Sequence, residues 1–253
     1  MCRPCRADGG SGDEPVKLLL FDIDGTLITT GGAGVRAMMR ALRTVSEVPD
    51  GIGRVALAKR AREVALAGRT DSIILRDLLA PGAEALDTML LARIREAYST
   101  FLREELSASN GGPGVLPGVR SLLDALADRD DVTLGLLTGN FPEAAEIKLD
   151  FYELGHHFGW GAFGDDAYDR NDLLAVALER YRLRAAAPID PADVLIIGDT
   201  PRDVACAHAG GALAISVATG IYSADELRAC GADTVLDDLT DTGSFLALIP
   251  PSP

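Results

Sequence analysis

Asp22 and Asp24 stand one residue apart in Phe21-Asp22-Ile23-Asp24-Gly25-Thr26-Leu27, directly after the apolar run Val16 to Phe21. Side chains alternate along a strand, so both carboxylates project to the same side if extended geometry continues that far, although Gly25 is placed to start a turn. Two carboxylates that close repel unless something cationic sits between them. A divalent metal answers that need, because Mg²⁺ is a hard cation that takes oxygen ligands and completes its shell with water and phosphate. An apolar run of strand length that stops at acids and glycine is how a buried parallel strand delivers polar groups to the crevice at its carboxyl end.

Other runs have the same form. Val132 to Thr138 ends in Gly139-Asn140, and Asp193 to Gly198 ends in Asp199. Leu213 to Val217 and Thr234 to Leu236 read as shorter strands, and a weak one covers Trp160 to Phe163. Between them Leu122, Leu123 and Leu126 share one helical face after Pro117-Gly118, and Leu174, Leu178 and Tyr181 share another between Asp172 and Arg184. Alternating strands and helices predict an α/β fold, a Rossmann-like doubly wound parallel sheet.

One interval breaks the rhythm. From about Gly31 to Gly114 no strand is evident, whereas Val35 to Val45, Ser72 to Leu79 and Glu84 to Leu106 read as helices. Glycine-rich joints flank it, Thr29-Thr30-Gly31-Gly32 and Asn110-Gly111-Gly112-Pro113-Gly114, and they suit hinges more than packed core. The expected organisation is a disordered leader over 1–14, a catalytic core over 15–30 and 115–253, and an all-helical cap inserted over 31–114. A hinged cap over a strand-end site excludes water.

Composition narrows the partners. The 253 residues carry 24 basic and 38 acidic side chains, a formal net charge of −14, which argues against nucleic acid or an anionic membrane as the main partner. An anionic substrate must then be held by local cations. No apolar stretch approaches the roughly 20 residues needed to span a bilayer, and the first residues lack the apolar core of a signal peptide, so cytoplasmic residence is the expectation. Among four cysteines, Cys2 and Cys5 form a CxxC, but Cys206 and Cys230 supply no second one, and no zinc or redox site is expected.

The DIDGT segment after a strand, Thr138 ending a second and Gly-Asp-Thr-Pro-Arg-Asp after a later one resemble the haloacid dehalogenase-like hydrolase superfamily, over about residues 15 to 240. Within it the chain is most similar to phosphoglycolate phosphatase-like members, whose helical cap is inserted at the same place. The resemblance implies a Mg²⁺-dependent phosphatase acting on a small phosphorylated metabolite. It assigns Asp22 as the nucleophile that attacks phosphorus and Asp24 as general acid, then base. Thr138 would hold a phosphoryl oxygen, helped by main-chain N–H groups near Gly139, with Asn140 as a further candidate. Asp199 would bind Mg²⁺ with the Asp22 carboxylate and the Asp24 carbonyl, while Asp203 orients the water shell.

The family's basic residue is commonly a lysine ahead of the helix that precedes the last acidic motif. Here Arg170 fills that place, with Lys148 as the runner-up because it falls inside a helix. In the cap, Arg69 of Gly68-Arg69-Thr70-Asp71 is a candidate contact for an anionic part of the substrate, the competing reading being a turn in which Asp71 caps the next helix. Asp203 has a structural role available too, since Thr200-Pro201-Arg202-Asp203 matches a helix start. His156-His157 reads as a surface helix end.

Alternatives come from three directions. A sugar phosphomutase of the superfamily would retain all these motifs, whereas a dehalogenase would lack an acid at Asp24. Gly32-Ala33-Gly34-Val35-Arg36-Ala37 fits a dinucleotide fingerprint but lies ten residues beyond the strand it should follow. A non-catalytic phospholigand-binding protein is disfavoured by the intact acids.

Overall fold

The computed structural model describes residues 17–45, 68–79, 87–108 and 114–249. The leader, the Cys2/Cys5 pair and the joint over 110–113 lie outside the described residues.

Strand β1 (Lys17–Phe21) lies near the middle of the sheet because it is apolar on both faces: Leu18 to Phe21 are all fully buried. Leu19 and Phe21 enter the packing layer on one side of the sheet, and Leu18 and Leu20 the layer on the other. It pairs in parallel with β4 (Val132–Leu137) and β6 (Val194–Gly198), and the sheet continues through β5 (Gly161–Ala162), β7 (Leu213–Val217) and β8 (Thr234–Leu236) in the order β5-β4-β1-β6-β7-β8. The weak strand expected over Trp160 to Phe163 is real but only two residues long. Asp22, Thr138 and Asp199 each directly follow one of the three adjacent strands β1, β4 and β6. Three separate stretches of chain thus deliver their polar residues to one crevice.

Most of the described part of the insertion is helical. Its described helices are α1 (Ala33–Thr44), α2 (Asp71–Leu79) and α3 (Thr88–Ala108). Ala33, Ala37 and Ala41 make a narrow seam on α1 that lets its backbone approach α3, where Ile94, Tyr98, Leu102 and Leu106 recur every four residues. The joints differ from expectation. Ile28 and Thr29 (β2) pair antiparallel with Val115 and Gly114 (β3), so Gly114 is a strand residue and the insertion leaves the core through a small ribbon. Two-residue strands carry no alternation, so periodicity offers no sign of them.

The remaining described α-helices are α4 (Val119–Ala127), α5 (Pro142–Phe151), α6 (Leu173–Ala185), α7 (Pro201–Ala209), α8 (Ala224–Ala229) and α9 (Thr242–Ala247). The chain around Gly155–His157 forms a short 3-10 turn after α5. Among the described residues no helix is long and apolar enough to cross a membrane.

Candidate active site

Parallel pairing continues past β1, since the Asp22 N–H donates to the Ile197 carbonyl at 2.9 Å. The chain then turns. Leu27 and Ile28 both donate to the Ile23 carbonyl, and Gly25 takes a φ of 88°, a left-handed conformation that glycine adopts without a Cβ penalty. This turn sends the two carboxylates to different partners. Asp22 is buried beside Arg170, whose Nη2 is 3.2 Å from its Oδ2, whereas the side chain of Asp24 is 43% exposed and accepts from Lys148 Nζ at 2.5 Å. Each carboxylate has its own cation.

Arg170 lies in the 3-10 turn Arg170–Asp172 that leads into α6, and is itself buried. Its Nη2 also pairs with Asp203, and its Nη1 donates to the Gly68 carbonyl at 3.2 Å. Lys148 occupies the site as well, which removes the objection that it lies within a helix. Ala144, Ala145 and Lys148 share the buried face of α5, three and four residues apart, and the ammonium also donates to Asn140 Oδ1 at 2.6 Å. A lysine on an otherwise apolar helical face was the signal in the sequence.

Asn140 ties these groups together. Its amide donates to Asp24 at 2.9 Å and to Thr138 Oγ1 at 2.8 Å, and its main-chain N–H reaches the same hydroxyl at 3.3 Å. With those N–H groups aimed at its oxygen, the Thr138 hydroxyl keeps its own proton to donate. Phe141 occupies the N-cap position of α5, with Pro142 in the first turn.

Opposite Lys148 is an acidic cluster. Ligand atoms of Asp22, Asp199 and Asp203 lie within 4.8 Å of one another, and all three residues are buried. Burial above all, then the negative charges of Asp203 and Asp22, push the Asp199 carboxyl up to about 8. Burial likewise raises Asp22 to about 6, against the pull of Arg170. Glycines make this concentration possible: a Cβ on Gly25 would sit 2.3 Å from Asp199 Oδ2, and one on Gly220 only 1.7 Å away. Three hard oxygen donors offset by one guanidinium suit a small divalent cation. Asp203 has the structural role foreseen for it and also pairs with Arg170. Its Oδ2 accepts from the Thr200 N–H at 3.0 Å in a capping box at the start of α7, while its Oδ1 engages Arg170.

The cap loop gives Arg69 a partner of its own. Its guanidinium pairs with Asp77 on α2, although it lines the cavity over the site. Thr70 takes the capping position instead, its hydroxyl accepting from Ile73 at 3.4 Å. Asp71 opens α2 and docks the loop on the core: its N–H donates to the Gly139 carbonyl at 2.7 Å, and its carboxylate accepts from the Phe141 N–H at 3.0 Å. Gly139 is needed for that approach, because a Cβ there would lie 2.2 Å from the Arg69 carbonyl. Farther out, Arg95 of α3 forks onto Glu143 of α5 at 2.7 Å on both arms and reaches Asp165 at 2.8 Å.

Sequence reading also overlooked Tyr98 and the loop after β7. Thr219 donates from its hydroxyl to the Gly25 carbonyl at 2.6 Å and, with Gly220, lines the cavity. No nearby motif marks either. The cavity that these elements enclose has a volume of about 440 Å³.

The family model for haloacid dehalogenase-like hydrolases matches residues 16–211, which includes every acid of this crevice. The chain belongs to that family. A phosphoglycolate phosphatase of Pseudomonas putida is 28% identical over 232 residues, covering 88% of this chain and 77% of the relative. A probable phosphatase, IndB, of Dickeya dadantii is 28% identical over 237 residues, 92% of this chain and 94% of the relative. The fold is shared with the crystal structure of a hydrolase from Pseudomonas syringae, at a TM-score of 0.62 and 24% identity over 92% of this chain and 99% of that one. Among the haloacid dehalogenase-like hydrolases it is thus an enzyme of the phosphatase type.

Lys148→Met tests how far this family member depends on its second cation. The substitution leaves Asn140 and Asp24 without their charged donor, so phosphate release is expected to fall about 100-fold. Half-exposure of Asp24 lets water replace part of the interaction, and the stability loss in denaturant titration is expected to stay near 1–2 kcal/mol. Activity within about twofold of wild type would show that Lys148 only packs α5.

Proposed function

We propose that this chain is a Mg²⁺-dependent phosphatase that hydrolyses a small-molecule phosphate monoester in two in-line displacements. The observation that carries the reading is the division of labour between Asp22 and Asp24. Asp22 is buried among cations and acids at the end of β1, while Asp24 faces the cavity beside Lys148. An Asp22 oxygen attacks phosphorus as the ester P–O bond breaks, and the departing oxygen takes the proton that Asp24 carries. Asp24 then accepts a proton from water, whose oxygen attacks the aspartyl-phosphate and releases inorganic phosphate and free Asp22.

Thr138, with the Gly139 N–H and Arg170, would hold the phosphoryl oxygens, since the transferred group spreads charge over them. Mg²⁺, held by Asp22, Asp199 and the Asp24 carbonyl with Asp203 orienting its shell, would supply the remaining charge neutralisation. The helical insertion, taken as a cap over 31–114, would exclude water when the contacts of Asp71 and Arg95 are made. A cytoplasmic setting agrees with free thiols at Cys206 and Cys230.

The test is phosphate release from p-nitrophenyl phosphate and a panel of small phosphate esters, with Mg²⁺ or with chelator. Release that requires Mg²⁺ supports the reading, and equal release in chelator overturns its metal dependence. A second measurement needs no turnover. Asp199 and Asp22 hold their protons to higher pH folded than unfolded, so the folded chain binds more protons between about pH 4 and about pH 8. In chelator the Tm is therefore expected to fall as pH rises through that window, and Asp199→Asn is expected to flatten the fall. Each kcal/mol corresponds to about 2–4 °C in a chain of this size. Mg²⁺ should raise the Tm more at the alkaline end, and a pH-independent gain would count against these acids as its ligands.

A further inference from the structure

The cavity has two unlike ends. Its floor, at the strand ends, holds the phosphate-directed groups already described. Its cap wall is formed by Val35, Met38 and Met39 of α1, Ile74 and Leu78 of α2 and Tyr98 of α3. A phosphoryl group occupies only the floor, so most of the 440 Å³ remains for the leaving group.

A second anion there would find no uncommitted cation among the described lining residues. Arg69 is paired with Asp77, Lys148 with Asp24, and Arg170 with Asp22 and Asp203. A further acid, Asp71, lines the same cavity. A carboxylate or second phosphate pressed against methionine and isoleucine side chains would lose its hydration without a partner. Apolar groups there gain from the same dehydration.

Tyr98 is the exception on this wall. It is buried, yet its hydroxyl makes no hydrogen bond within the described residues. The hydroxyl reaches the floor's edge: a Cβ on Gly34 would lie 3.5 Å from it and 3.6 Å from Lys148 Nζ. A polar atom near the ester oxygen of the leaving group would satisfy it.

We propose that the cap wall selects phosphate monoesters whose leaving group is bulky, uncharged and largely apolar, an aryl-alkyl or branched-alkyl alcohol, over esters bearing a second anionic group, with Tyr98 contacting the leaving group. This deepens the phosphatase reading and rests on it. The selectivity is a property of this chain's own wall, whatever esters its relatives are named for.

The experiment compares kcat/KM of the full-length protein with Mg²⁺ for phenethyl phosphate and for phosphoglycolate, both alkyl esters. In parallel, thermal shifts are read with phenethylphosphonate and with phosphonoacetate, neither of which can be hydrolysed. Phenethyl phosphate is expected to be favoured at least about tenfold, and its phosphonate to bind in preference to phosphonoacetate. Val35→Arg, an exposed substitution on a helix, is expected to move the ratio about tenfold toward phosphoglycolate. Tyr98→Phe is expected to cost phenethyl phosphate about fivefold with an unchanged Tm. Equal or reversed preference in either assay overturns the proposal. If neither ester turns over while phenethylphosphonate still binds preferentially, the phosphatase reading fails and the apolar wall stands.

Discussion

Asp22→Asn is expected to lower kcat at least about 10⁴-fold on every ester, because an amide of the same shape has no carboxylate oxygen to attack phosphorus. The fold should survive. Asp22 is buried and its carboxyl is raised to about 6, so at neutral pH the ionised group is a burden on the metal-free fold, and a neutral isostere relieves it. Arg170 keeps Asp203 as a partner when the 3.2 Å contact to Asp22 loses its charge. In chelator the variant's Tm is therefore expected to equal or exceed that of wild type, a control against misfolding. Labelling sharpens the result: wild type quenched in acid during turnover should retain phosphate on the chain, and Asp22→Asn should retain none. A variant with more than about 1% of wild-type kcat would remove Asp22 as the nucleophile.

Asp24→Asn should be nearly as damaging, but with a dependence on the ester that distinguishes its role. General acid catalysis is worth about 10² to 10⁴ in rate and matters most when the leaving oxygen is strongly basic. Release from alkyl esters is expected to fall by that range, whereas p-nitrophenyl phosphate, whose leaving group departs without a proton, should lose much less in the first displacement. Burst kinetics separate the steps, because phosphoenzyme should accumulate on p-nitrophenyl phosphate if Asp24 also serves as the base for water. Lys148 Nζ, 2.5 Å from Asp24, would keep Asn140 as acceptor. A uniform loss across esters would assign Asp24 to binding or to the support of Lys148.

Much of this arrangement is legible in the chain before folding, wherever contiguous residues carry the cause. The runs ending at Asp22, Thr138 and Asp199 are predominantly apolar, as strands with both faces covered tend to be, and each leads directly into a polar turn. The start of α7 is similarly local, since Thr200, Pro201 and Asp203 satisfy the first turn among themselves. Helical periodicity located α1 and α2 to within two residues at each end.

Contacts between distant stretches are another matter. Lys148 ranked only second for the basic role because nothing within α5 shows that its buried face meets Asp24, 124 residues earlier. Arg69 was a candidate substrate contact, and only the packing of α2 shows that Asp77 stands beside it. Asp22 and Asp24 were read as partners on one side of a strand, and the backbone turn after Gly25 gave them different cations. Thr219, Gly220 and Tyr98 reach the cavity only through the placement of β7 and α3.

The amino-acid sequence by itself determined the strands, their acidic ends, the helical insertion and the class of chemistry, because burial pattern, capping and turn preference act between near neighbours. Tertiary structure alone decided which cation each carboxylate meets, how the cap loop docks and what the cavity wall presents. Those pairings depend on sheet order and helix rotation, which are set by packing of the whole chain and leave no periodic trace in any one segment.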